Sequence, residues 1–219
     1  VWLAEAMARA VRAILADTEL EGGEGRAGLD LVEASDLLRR HAALVWDLGG
    51  DALAGEQGFF DAAELLGREA CSRYVSDVFA RLPTEQAVAT VVERAEMLPD
   101  ERAADRVGIY VCAASQASAL GAHEPALETA MSALRMAPSL PDAIEVVERS
   151  APHCPSGVDA VDEVYVQLAE AAMGSYGRRA AHYRAARQLE RLGALDRAMG
   201  HALEALEAVP NEGQTLALV

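Results

Sequence analysis

Apolar residues recur at three- and four-residue spacing along almost the whole chain, and short Pro- and Gly-bearing breaks separate the runs. That spacing places apolar side chains on one face of a helix. It predicts helices at about 2–17, 30–48, 59–81, 84–98, 100–120, 124–137, 141–151, 157–173, 178–192 and 195–208. The breaks are Leu82-Pro83-Thr84, Pro99-Asp100, Gly121-Ala122-His123, Pro138 to Pro141, Cys154-Pro155-Ser156-Gly157 and Gly174 to Gly177. Thr84 and Asp100 stand where an N-cap would accept free amides of the first turn. The stretch Glu19 to Gly28, ELEGGEGRAG, has linker composition. The expected division is therefore an N-terminal helix and flexible linker over 1–28, followed by a helical domain over 29–219. The fold class is all-α.

Short breaks make neighbouring helices antiparallel, and internal repetition separates a bundle from a stack of hairpins. Gly121 to Pro138, GAHEPALETAMSALRMAP, aligns without gaps on Gly193 to Pro210, GALDRAMGHALEALEAVP, at an offset of 72 residues. Gly121 matches Gly193, Ala126 matches Ala198, Ala130 matches Ala202, Ala133 matches Ala205, Leu134 matches Leu206 and Pro138 matches Pro210. Glycine permits the turn between two helices, and the alanines on one face let the next helix approach closely. The proline after the helix end stops its propagation.

This arrangement resembles the tetratricopeptide (TPR) repeat, most clearly over residues 100–210. Ahead of Pro210, the preceding helix supplies Tyr183, Ala186 and Leu189, the last two at the family's small and large packing positions. The copy ending at Pro138 has Ala114 and Ala117 there, a small residue in the large position. Residues 141–173 form a degenerate unit between the two. Residues 59–98 are a further candidate pair, with Arg94 where a small residue is expected. The resemblance implies antiparallel helical hairpins stacked as a TPR-like α-solenoid. It implies a domain continuing, or cut short, after Asn211-Glu212-Gly213-Gln214, which reads as the start of another helix.

Composition narrows the function classes. The formal charge is −16, which disfavours phosphate backbones and anionic lipid, so neither nucleic acid nor membrane is an expected partner. No Lys occurs in the chain, which excludes Schiff-base lysines and the phosphate-binding P-loop. Cys71, Cys112 and Cys154 are neither a disulfide framework nor a zinc spacing, and read as free thiols of a cytoplasmic protein. Residues 1–17 carry Glu5, Arg9 and Arg12 at helical spacing, unlike a signal peptide. A first residue other than Met suggests a processed chain or a piece of a longer one.

Catalytic patterns are sparse. His123-Glu124 opens like a zinc-protease motif without its second histidine. His153-Cys154 sits in a proline-bounded loop and reads as a turn beside a half-buried thiol. Asp159–Asp162 and Glu204–Glu207 have the i, i+3 spacing of a solvated helix face. No cofactor, metal site or catalytic set is expected. An all-α enzyme would require two or more of His153, Cys154, His182 and nearby carboxylates to meet in a pocket.

The local exception is residues 178–191, with five Arg and one Glu in a strongly acidic chain. Arg forks hold carboxylates bidentately and stack on aromatic rings. The TPR resemblance places the first helix of each hairpin along a partner-binding groove, and the register puts Tyr183, Arg187, Glu190 and Arg191 on it. The function this implies is a non-catalytic protein–protein interaction scaffold or adaptor. Its partner would be another protein or peptide with an acidic segment or carboxylate terminus. The alternative is a regulatory or sensor repeat domain of a larger multidomain signalling protein. For the arginines themselves the alternative is structural, with pairing to Glu163, Glu170, Glu204 and Glu207.

Overall fold

In a computed structural model, described over residues 24–66 and 71–209, the chain forms ten α-helices and two 3-10 turns. Among these residues there is no strand. The helices are α1 (Glu24–Asp47), α2 (Ala52–Glu64), α3 (Cys71–Phe79), α4 (Thr84–Glu96), α5 (Ala103–Ala119), α6 (His123–Met136), α7 (Pro141–Ser150), α8 (Gly157–Ala171), α9 (Ser175–Arg191) and α10 (Leu195–Ala208). Two compact units divide between Pro83 and Thr84. The expected helix at 2–17 and the segment from Pro210 onward lie outside the described residues.

In the first unit α1 and α2 pack as a hairpin. Gly50 turns the chain at φ 69°, and Asp51 caps α2 by accepting from the Ala54 amide at 3.0 Å. Two glycines set the close approach: a Cβ at Gly55 would lie 2.7 Å from Trp46 Cβ, and one at Gly58 would lie 2.9 Å from Ala42 Cβ. Phe59, Phe60, Tyr74, Val75 and Val78 form the core, with the rings of Phe60 and Tyr74 edge to face at 5.3 Å. Buried Glu56 accepts from the Tyr74 hydroxyl, and Arg39 holds Asp77 with both arms of its fork.

Two expectations need correction here. The single helix at 59–81 is two helices, Ala52–Glu64 and Cys71–Phe79. The first starts seven residues earlier because Asp51 caps it, and it ends where the Leu66 amide closes a tight turn on Ala63. Glu24, the first described residue, is already helical, so Glu24–Gly28 of the expected linker is helix.

In the second unit each helix from α4 to α7 packs on its neighbour, as do α8, α9 and α10, and α5 also touches α7. Asp100 opens a 3-10 turn ahead of α5 rather than capping it, and no side-chain cap bond forms there. The two aligned segments adopt one geometry. Gly121 and Gly193 both have positive φ, 80° and 76°. At each, the residue after the glycine donates back across the turn, Ala122 to Ala117 and Ala194 to Leu189, both at 2.9 Å. The glycines themselves donate to Ser118 and Glu190 at 3.1 and 3.0 Å. This is a Schellman closure, which needs a left-handed residue at the glycine. Each turn leads into a 14-residue helix, α6 or α10. The core is alanine-rich: Ala114, Ala117, Ala130, Ala133, Ala186, Ala202 and Ala205 are buried, with Leu127, Leu134 and Leu189 between them.

Elsewhere the breaks are steric. A Cβ on Gly157 would fall 2.0 Å from the Ala151 carbonyl oxygen, so only glycine can open α8. Pro141 starts α7 at a position where its missing N–H costs nothing. No described helix is long and apolar enough to cross a membrane.

Candidate functional site

Helix α9 buries Ala185, Ala186 and Leu189 against its neighbours and presents two different polar faces. On the first, Arg179, Ala180, Tyr183, Arg184, Arg187, Gln188 and Arg191 line an open cavity of about 420 Å³. Three of the four residues singled out from sequence, Tyr183, Arg187 and Arg191, therefore share one surface. Glu190 does not line it, but it accepts from Arg187 at 3.2 Å.

The interhelical pairs proposed as an alternative do not form around Arg187 and Arg191. Among the described residues Arg187 meets only Glu190 of its own helix, and Arg191 meets Gln188 at 3.4 Å. Both arginines are exposed. Arg184 behaves differently. It holds Glu148 of α7 with Nε at 2.8 Å and Nη2 at 2.9 Å, and its guanidinium lies 5.9 Å from the Tyr165 ring centre. The Tyr165 hydroxyl donates to the same carboxylate. Burial, reinforced by Glu148, pushes the Tyr165 phenol well above its ordinary range. Arg184 thus ties α9 to α7 and α8.

The second face lines a groove of about 700 Å³ between α8, α9 and α10. Asp162, Glu170, Arg178, His182, Arg197, Gly200, His201 and Glu204 are its main polar positions and its one glycine. A continuous hydrogen-bond chain crosses it: Asp162 Oδ1 to His201 Nε2 at 2.8 Å, and His201 Nδ1 to His182 Nδ1 at 2.9 Å. Arg197 braces the carboxylate end, 2.7 Å from Asp159 and 3.6 Å from Asp162. Asp159 and Asp162 are thus a bracket for α10 and not simply a solvated face. His201 is buried at 7% exposure. Burial, then the adjacent His201, lowers the His182 pKa below its usual value.

This cluster was not legible as a site. His182 and His201 stand 19 residues apart, and Asp162 and His201 stand 39 apart, so no local spacing links them. The one usable signal was that a histidine on α10 takes a place where the aligned copy has Thr129, which simply bonds back to the Pro125 carbonyl.

The other sequence candidates gain no chemistry. His123 and His153 stack at 4.1 Å between ring centres. Cys154 is a free, half-buried thiol whose pKa is raised by burial and by Glu124 and Glu128, the opposite of an activated thiolate. Among the described residues no group of three or more His, Cys, Asp or Glu is placed to hold a metal ion. Neither a protein-family model nor a curated protein matches the chain.

Proposed function

We propose that the chain is a non-catalytic binding scaffold, a TPR-like stack of helical hairpins that holds an acidic peptide segment or carboxylate terminus on the arginine face of α9. One observation carries this reading: Arg187 and Arg191 line a common cavity with Tyr183 while making no ion pair to another helix. In a chain of net charge −16, such a basic surface is selective for anions against the chain's own background potential. Guanidinium forks fit carboxylates bidentately, and Tyr183 offers an aromatic wall beside them. The matching Schellman turns at Gly121 and Gly193 support the repeat reading.

The test is binding of a glutamate-rich peptide with a free carboxyl terminus, against its neutral glutamine counterpart. The Arg187→Ala/Arg191→Ala double variant should bind the acidic peptide at least tenfold more weakly, and wild-type affinity should fall with salt. Equal affinity in wild type and variant would remove this assignment.

A further inference from the structure

The groove on the other side of α9 has the opposite preference, and it follows from where the protons must sit. A carboxylate only accepts, so His201 Nε2 carries the proton donated to Asp162. A neutral His201 then has a lone pair on Nδ1. The 2.9 Å contact therefore needs His182 Nδ1 to donate. That leaves His182 Nε2 a bare acceptor, and it has no protein partner among the described residues. The reverse polarity would need an imidazolium at His201, which is 7% exposed, against a carboxylate that already faces Arg197.

Two carboxylates, Glu170 and Glu204, line the same groove. Val166, Ala169 and Ala172 supply its apolar wall. Gly200 lines the groove, and a Cβ there would meet nothing within 4 Å, although a glycine inside a helix costs about 1 kcal/mol relative to alanine. Packing does not require that glycine, and a larger side chain at this position would extend into open space. The volume, about 700 Å³, is that of a small-ligand site.

We propose that this groove binds an ammonium group, carried by a small amine or by a lysine side chain of a partner. His182 Nε2 accepts one N–H, and Glu170 and Glu204 accept the others and balance the charge. An ammonium has three donors and no acceptor, which matches these three acceptors; of the two guanidinium donors that also line the groove, Arg197 is held by Asp159 and Asp162. The chain contains no Lys, so none of its own side chains can fill the site. The charged and titratable groups that line the groove with His182 are Asp162 and Glu170 on α8, Arg178 on α9, and Arg197, His201 and Glu204 on α10. Arg178 is the only opposing charge at the rim not engaged by a carboxylate, so Arg178→Ala should tighten the binding of a simple amine.

The test uses the full chain with 15N-labelled histidine. Imidazole nitrogen–proton correlations at pH 8 should show His182 protonated on Nδ1 and His201 on Nε2. Titration with butylamine and, separately, with the peptide acetyl-Ala-Lys-Ala-amide should then shift His182 Nε2 saturably. Response to butylamine alone assigns a free amine, and response to the peptide alone assigns a partner lysine; either supports the site. Glu170→Gln/Glu204→Gln should weaken binding at least tenfold. Gly200→Leu should abolish it without lowering the melting temperature, because leucine is the better helix former. Reversed tautomers, no saturable shift with either probe, or unchanged binding in Gly200→Leu would overturn the proposal. These readouts do not involve Arg187 or Arg191, so this test and that of the arginine face fail independently.

Discussion

One helix, α9, carries two polar faces built on opposite principles. On the arginine face, charge is dense, exposed and held mostly by contacts within the helix, such as Arg187 with Glu190 at 3.2 Å. On the groove face, charges of both signs occur, and its central groups are fixed by bonds across three helices, from Asp162 through His201 to His182. Exposed pairs contribute little to stability because solvent screens them and long side chains lose freedom. Buried bonds contribute more, chiefly because breaking one strands its partner without water. The arginine face is therefore free to exchange partners, whereas the histidine chain is part of what positions α10 on α8 and α9.

The comparison breaks most directly at His201. His201→Ala removes both links of the chain and leaves His182 Nδ1 and Asp162 to find other partners. We expect a loss of about 1–3 kcal/mol in unfolding free energy, measured by urea denaturation. A loss below about 0.5 kcal/mol would show that the chain is no more structural than the exposed arginines.

A pH titration of stability sharpens the same contrast with a smaller effect. The folded His182 pKa lies below its unfolded value of about 6.5, through burial first and His201 second. The unfolded state therefore binds more protons in that interval, and stability rises with pH there. The contribution is fully present above about pH 6.5 and is lost as pH falls through the folded pKa. Burial lowers His123 in the same direction, so His182→Phe should flatten the slope below pH 6.5 without abolishing it. Chemical denaturation at a series of pH values from 5 to 8 would read it. An identical slope in the variant would place the His182 shift elsewhere than in folding.

The contrast also marks what the sequence could reveal. Helix periods and the Gly121/Gly193 repeat were legible because each is local: a period of a few residues, or a turn whose bonds close within five. The arginine run was legible for the same reason, and Tyr183, Arg187 and Arg191 do share a surface. The early start of α2 was missed because Gly55 and Gly58 lie in the α1–α2 contact, where glycine is favoured by the approach of Trp46 and Ala42 and disguises a helix as a loop. The histidine groove was hidden further still. Its members are separated by 19 and 39 residues, and only the packing of three helices makes Asp162 more than one carboxylate of a solvated pair.

The smallest effect expected is the one that defines the arginine face as a surface rather than a brace. Arg187→Ala/Arg191→Ala removes one ion pair within the helix and one bond to Gln188, with both side chains exposed. Arginine and alanine are both good helix formers, and solvent screening discounts the lost pair, so unfolding free energy should change by about 0.5 kcal/mol or less. Arg184→Ala is the internal control. It takes from Glu148 two bonds that reach across helices, leaving the bond from the Tyr165 hydroxyl in place, and should cost more than the double variant in the same denaturation experiment. If the double variant is the more destabilised of the two, Arg187 and Arg191 hold the fold through contacts to other helices. The arginine face would then be structural, and the distinction between the two sides of α9 would fall with it.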